Sequence, residues 1–183
     1  MKVLVAYASA HGSTREIAER IAAGLTAGGH EATAAAIDRD GAIAGGVAAF
    51  DAVVLGSAIH NSRWLPGADA FARANATALR ERPTWLFSVL TVGNSSAALG
   101  RPFAWLVRRL SVPGNLAPLR ATLAPAGIRR FAGVISAEDM GRVGAAFVRL
   151  TGGSCGDHRD WRDIDAWAAS IARALGPGSA AAA

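Results

Sequence analysis

Val3-Leu4-Val5-Ala6-Tyr7 is a short, unbroken apolar run of the kind expected of a strand covered on both faces of a parallel sheet. Beyond it Ile17, Ile21 and Leu25 recur at helical spacing until Gly28-Gly29 ends the pattern. A second strand is expected around Glu31 to Ile37, and Ala52-Val53-Val54-Leu55-Gly56 repeats the apolar signature of the first. A helix is expected from about Pro66 to Leu79, a fourth strand at Thr84-Trp85-Leu86-Phe87-Ser88-Val89 and a fifth at Phe131-Ala132-Gly133-Val134-Ile135. The last helix is marked at both ends. Asp160 is placed to cap it and Asp163 stands in its first turn, while Ile164, Trp167, Ala168 and Ile171 share one face and Arg173 and Gly176-Pro177 close it. Five strands alternating with helices predict an α/β fold with a doubly wound sheet, whose ligands bind at the carboxyl ends of the strands.

Three polar loops fall at such ends. Ser9-Ala10-His11-Gly12-Ser13-Thr14 links the first strand to the first helix, and its hydroxyls and backbone N–H groups suit a phosphate monoester. The same residues also fit a capping box, with Ser13 at the N-cap and Glu16 three residues on, and the hexapeptide alone does not separate the two readings. Residues 56 to 64, Gly-Ser-Ala-Ile-His-Asn-Ser-Arg-Trp, follow the third strand, and Ser88 to Ser96 follow the fourth. Together they make a long, partly polar cleft with a phosphate at one end.

Composition narrows what the cleft serves. With 183 residues, 51% of them hydrophobic, the chain is long enough for a globular core. Its single cysteine, Cys155, leaves no disulfide framework or cysteine zinc cluster and suits a reducing cytoplasm. Neither a signal peptide nor a membrane span is expected, since Arg15-Glu16 and then Gly45-Gly46 and Asp51 interrupt the apolar stretches. The formal charge of +5, carried almost wholly by arginine, favours anionic partners. Nucleic acid is not among those expected, because the arginines are scattered and no nucleic-acid-binding motif is present. The first loop lacks the Gly-X-Gly-X-X-Gly of a dinucleotide site. A phosphorylatable receiver would carry its aspartate where the third strand ends, and Gly56-Ser57 stands there.

The stretch from Val3 through Thr14, the following Ile17-Ala18 and the third strand ending at Gly56-Ser57 resemble the flavodoxin family. The resemblance implies a flavodoxin-like five-stranded parallel sheet in the order 2-1-3-4-5, with helices on both faces, formed by a single domain over residues 1–176 with a disordered tail at 177–183. It implies FMN as cofactor and no metal. Ser9, Ala10, His11, Gly12, Ser13 and Thr14 would surround the FMN phosphate. Ser57, Ala58, Ile59, His60, Asn61 and Trp64, with Ser88, Val89, Leu90, Thr91 and Gly93, would contact the flavin. His11 stands where flavodoxins usually carry a hydroxyl residue, exchanging one phosphate partner for a cationic one.

Over nearly the whole length the chain is similar to the flavodoxin-like, menaquinone-dependent protoporphyrinogen oxidases, through Gly56-Ser57-Ala58-Ile59, Phe87-Ser88-Val89, Gly152-Gly153 and Asp160-Trp161. That resemblance implies an FMN-dependent oxidoreductase taking electrons from a small-molecule substrate, a porphyrinogen, and passing them to a quinone or a redox protein. The chain departs from the pattern at 94–118 and 137–157, the segments that would shape the substrate side. Each carries an amphipathic helical pattern, Phe103, Leu106, Val107 and Leu110 in the first and Val143, Ala146, Phe147 and Leu150 in the second. Their arginines and Trp105 suit either solvation or peripheral contact with an anionic membrane surface. Two other function classes stay open, a one-electron carrier and a flavodoxin-fold binding or regulatory protein without FMN. The basic charge disfavours the carrier, because arginines beside the flavin would stabilise its reduced, anionic form and raise the potential. No catalytic side chain is assigned, since the reactive chemistry would belong to the cofactor.

Overall fold

The computed structural model describes residues 1–43, 45–90, 114–135 and 156–177. Its central sheet is built from β1 (Lys2–Ala8), β2 (Glu31–Ala36), β3 (Ala52–His60), β5 (Thr84–Leu90) and β6 (Gly127–Ala132), with the two-residue β4 (Arg63–Trp64) folded back on β3. The order is β2-β1-β3-β5-β6 and every pairing along it is parallel. With β4 set aside, this is the expected order 2-1-3-4-5.

Alternation along β1 shows why the apolar runs carry no polar positions. Val3, Val5 and Tyr7 enter one core with Ile17, Ile21 and Leu25 of α1 (Ser13–Ala27) and Ile164, Ala168 and Ile171 of a C-terminal helix, Trp161–Leu175. Leu4, Ala6 and Ala8 enter the other, with Phe71 of α2 (Pro66–Ala74), Leu79 of α3 (Ala76–Arg80), and Leu119 and Leu123 of α4 (Leu116–Leu123). The C-terminal helix, α5, lies against α1 closely enough that a Cβ on Gly24 would stand 2.9 Å from that of Ala168, and one on Gly28 would stand 2.7 Å from that of Ala172. Asp160 caps α5 as expected, its carboxylate accepting from the Asp163 amide at 3.1 Å.

Four expected boundaries move, each for a local reason. The fifth strand lies four residues earlier, at Gly127–Ala132, because an edge strand tolerates the exposed Arg129 and Arg130 that break the apolar signature. Val134-Ile135 instead forms β7, an antiparallel pair with β8 (Gly156–Asp157). The helix expected over 66–79 is interrupted at Asn75, whose side-chain amide donates to Phe71 O at 2.9 Å. The third strand runs on to His60 because β4 pairs with its last residues. Ser13 is the first residue of α1 rather than its cap: Gly12 occupies the cap position at φ 92°, with no side-chain cap bond. The two amphipathic patterns at 103–110 and 143–150, Cys155, and Thr91 and Gly93 of the third loop lie outside the described residues. Among the described residues no helix is long and apolar enough to cross a membrane.

Candidate functional site

Parallel register brings the three loops to one edge. Ala8 of β1 is level with Ser57 of β3, and Ser57 with Ser88 of β5, so all three strands end at one edge, β3 and β5 running three and two residues past the end of β1.

At the first of these exits the chain turns sharply into α1. Gly12 adopts a left-handed φ of 92°, and a Cβ there would meet nothing within 4 Å, so backbone conformation rather than crowding selects glycine. Ser9 Oγ accepts the Gly12 amide at 3.0 Å and holds the turn closed. The first helical bond runs from Glu16 N–H to Gly12 O at 3.1 Å, so the amides of Ser13, Thr14 and Arg15 precede it and carry the positive end of the helix dipole. Thr14 is fully buried, and its Oγ1 has no hydrogen-bond partner among the described residues. An orphaned buried hydroxyl costs about 1–3 kcal/mol, which makes this one an anomaly in a capped turn and a natural donor in an anion cradle. Ala10 and His11 are exposed on the rim of the turn.

The second loop is a β-hairpin. Asn61 and Ser62 form its two-residue turn with φ of 48° and 56°, and His60 pairs with Arg63 and Ile59 with Trp64 across it. Its base is tied down from inside. Ser57 Oγ donates to Ala58 O at 2.8 Å and accepts the Leu65 amide at 3.0 Å. Trp64 is buried, and its indole Nε1 donates to Ser88 Oγ at 2.8 Å, joining the hairpin to β5. Asn115, also buried, accepts the Trp64 amide at 2.9 Å through Oδ1 and turns its Nδ2 towards Trp64 O at 3.5 Å and Asp69 Oδ1 at 3.3 Å. A further bond, Gly114 N–H to Ser62 O at 2.8 Å, reaches the turn itself.

The expected site residues therefore separate by environment. Ser57, Trp64, Ser88 and Val89 are buried and frame the edge, whereas Ala58, Ile59 and Leu90 are half-buried and His60 and Asn61 exposed along the rim. The sequence reading missed Asn115, which sits inside the segment 94–118 and carries no motif. It also missed Asp157 and Arg159, although the charged run Asp157-His158-Arg159-Asp160 just before the last helix was a visible signal.

Those two residues lie beside the first turn of α1. Arg159 forks onto Asp157 through Nε and Nη2 at 2.9 and 2.7 Å, and reaches Glu16 Oε2 of α1 through Nη1 at 2.6 Å. The guanidinium beside Asp157 holds that carboxyl below the usual carboxylate range, while the two carboxylates hold Arg159 more firmly protonated than a free arginine. Among the described residues no three His, Cys, Asp or Glu side chains converge as a metal ion would require.

A family model described as "Flavodoxin domain" matches residues 4–148. Among solved structures, the chain is similar to a flavodoxin, WrbA-like protein from Agrobacterium tumefaciens at 17% identity and a TM-score of 0.56, over 94% of this chain and 96% of that one. It is similar to a flavodoxin from the domain Archaea at 14% identity and a TM-score of 0.58, over 96% and 99%. A flavoprotein in complex with FMN from Lactobacillus acidophilus is similar at 11% identity and a TM-score of 0.50, over 70% and 92%. No curated protein matches the chain. The structural likenesses carry the fold, and the family match, which spans well over half of the chain, carries the kinship: this protein belongs to the flavodoxin-domain family.

Proposed function

We propose that the chain is an FMN-binding oxidoreductase. The observation that carries the reading is Thr14 Oγ1, a buried hydroxyl without a partner among the described residues, in the first turn of a 15-residue helix entered through a left-handed glycine. A phosphate monoester seated there would accept from that hydroxyl and from the amides of Ser13, Thr14 and Arg15. Ser9, engaged with Gly12, would shape the cradle. The hairpin of β3 and β4 and the end of β5 would flank the ring system, with Ala58, Ile59 and Leu90 as half-buried apolar walls and Asn61 at the turn. The FMN complex of the Lactobacillus acidophilus flavoprotein, which shares this fold, supports the choice of ligand. Bound flavin supplies hydride and electron transfer, and the chain's own task is to hold the phosphate, orient the ring and limit water at its face.

The net charge of +5 favours a substrate or acceptor of opposite charge, and Arg63 stands exposed at the hairpin beside the proposed ring site. We assign a porphyrinogen as substrate, its carboxylates suited to arginine, with a quinone as acceptor. The acceptor side of the proposal rests on the arginine-bearing segments 101–109 and 142–149, whose sequence suits an anionic membrane surface facing a reducing cytoplasm.

The test is sequential. Purified protein titrated with FMN is expected to quench flavin fluorescence at a saturable site; the absence of binding would favour a binding or regulatory protein instead. Anaerobic FMN-loaded protein is then expected to bleach with protoporphyrinogen and recover its colour with menaquinone. A loaded protein that protoporphyrinogen does not reduce, but that exchanges electrons with a redox protein, is a carrier.

A further inference from the structure

We propose that Arg159 is a positioning residue for the phosphate end of the flavin: by pairing with Glu16 it neutralises a carboxylate that would otherwise oppose the anion, and so sets the preference for the phosphorylated ligand. The inference rests on the FMN reading of the first loop and assigns a role to a residue outside it.

The difficulty it resolves is electrostatic. Glu16 occupies the first turn of α1, its own amide bonded to Gly12 O, and so carries its negative charge on the same turn as the amides of Ser13, Thr14 and Arg15 that would hold a phosphate. Charges within one helical turn (~5.4 Å pitch) fall inside the Debye length of ~8 Å at physiological salt, so the repulsion is only partly screened. Arg159 Nη1 meets Glu16 Oε2 at 2.6 Å.

What distinguishes this from an ordinary surface ion pair is how firmly the arginine is held. Its Nε and Nη2 form a fork on the two oxygens of Asp157, and Asp157 Oδ1 also accepts the Arg159 amide at 3.0 Å. The guanidinium carbon lies 4.5 Å from the centre of the Trp161 ring, and the Arg159 side chain is only 9% exposed. One edge of the plane is fixed by Asp157 and its face by Trp161, which leaves Nη1 aimed at Glu16 at little further entropic cost. The backbone around it is seated as well. His158 N–H donates to Gly133 O at 3.3 Å, and a Cβ on Gly133 would stand 3.3 Å from Ser13 Oγ, so the strand end, the arginine and the first residue of α1 are in register. Lysine could supply the charge but not the fork, the stack and the third contact together.

Riboflavin carries the same ring without the phosphate, which separates this role from a general one in folding. Fluorescence titrations with FMN and with riboflavin are compared for the unmodified protein, R159Q, E16Q and the double variant. R159Q is expected to weaken FMN binding by about five- to tenfold, leaving riboflavin affinity unchanged, and E16Q to raise the FMN-to-riboflavin preference about twofold. Adding E16Q to R159Q should recover most of the loss, and salt should narrow every difference. Equal weakening of both ligands by R159Q, or a double variant no better than R159Q, overturns the proposal while leaving the FMN reading standing. Should R159Q not fold, E16Q decides, since its carboxylate is exposed, and an unchanged preference overturns the proposal. If the unmodified protein binds riboflavin as well as FMN, or binds neither, the FMN reading itself falls and the role of Arg159 with it.

Discussion

Thr14 is the residue at which stability and binding pull apart. Its hydroxyl is buried without a partner among the described residues, and a chain selected only for stability would gain by replacing it with the isosteric valine. Thr14→Val is therefore expected to stabilise the ligand-free protein by about 1 kcal/mol in a denaturant titration. The same substitution should weaken FMN binding by about tenfold, because it removes a hydrogen bond to a charged acceptor. A destabilised variant would mean that the hydroxyl has a partner in solution, and unchanged FMN affinity would place the phosphate elsewhere. His11 shows the reverse case. It stands where the flavodoxin resemblance leads one to expect a hydroxyl residue, exposed at the rim of a turn closed by the bond from the Gly12 amide to Ser9 Oγ, and its substitution is expected to leave the backbone cradle in place.

Among the elements, the β3–β4 hairpin would carry the flavin side of the proposed site, and its shape depends on a residue from a distant part of the chain. Asn115 completes a strand-like pair of bonds with the Trp64 backbone at the point where the hairpin would otherwise end in open edges. Asn115→Ala leaves the buried Trp64 amide unsatisfied and is expected to cost about 1–3 kcal/mol in unfolding free energy. It should weaken FMN and riboflavin equally, since it loosens the ring's wall and not the phosphate cradle. This dependence also explains what the sequence disclosed. The strands β1, β3 and β5 are buried on both faces, so their apolar runs stand out, and parallel register brings the loops that follow them to one edge. β6 was misplaced because an edge strand need not be apolar, and its Arg129 side chain pairs with Asp163 of α5 instead of entering a core. The hairpin was read as an open loop because Asn61-Ser62 is a weaker turn signal than Asn-Gly, and the clamp from Asn115 is a tertiary contact 51 residues away. No local pattern encodes such a contact.

At the scale of the molecule, α1 and α5 are joined by two kinds of contact with different responses to pH. Gly24 and Gly28 pack on Ala168 and Ala172, an apolar contact indifferent to protons. Arg20 pairs with Asp165, and Arg159 links Glu16 to Asp157 just before α5. Both Asp157 and Asp165 titrate below the usual carboxylate range, chiefly because each accepts hydrogen bonds from its arginine. A carboxyl whose folded pKa lies below its unfolded value contributes stability that is present above the unfolded value, about 3.9 for Asp, and is lost as pH falls through the folded one. Stability should thus be flat from neutral pH down to about 5 as far as these groups are concerned, and should fall below about pH 4. Asp157→Asn is expected to be less stable than the unmodified protein at neutral pH, with the gap closing as pH drops below 4. Chemical denaturation at stepped pH measures this directly, and a gap that stays constant with pH would show that Asp157 contributes through packing alone.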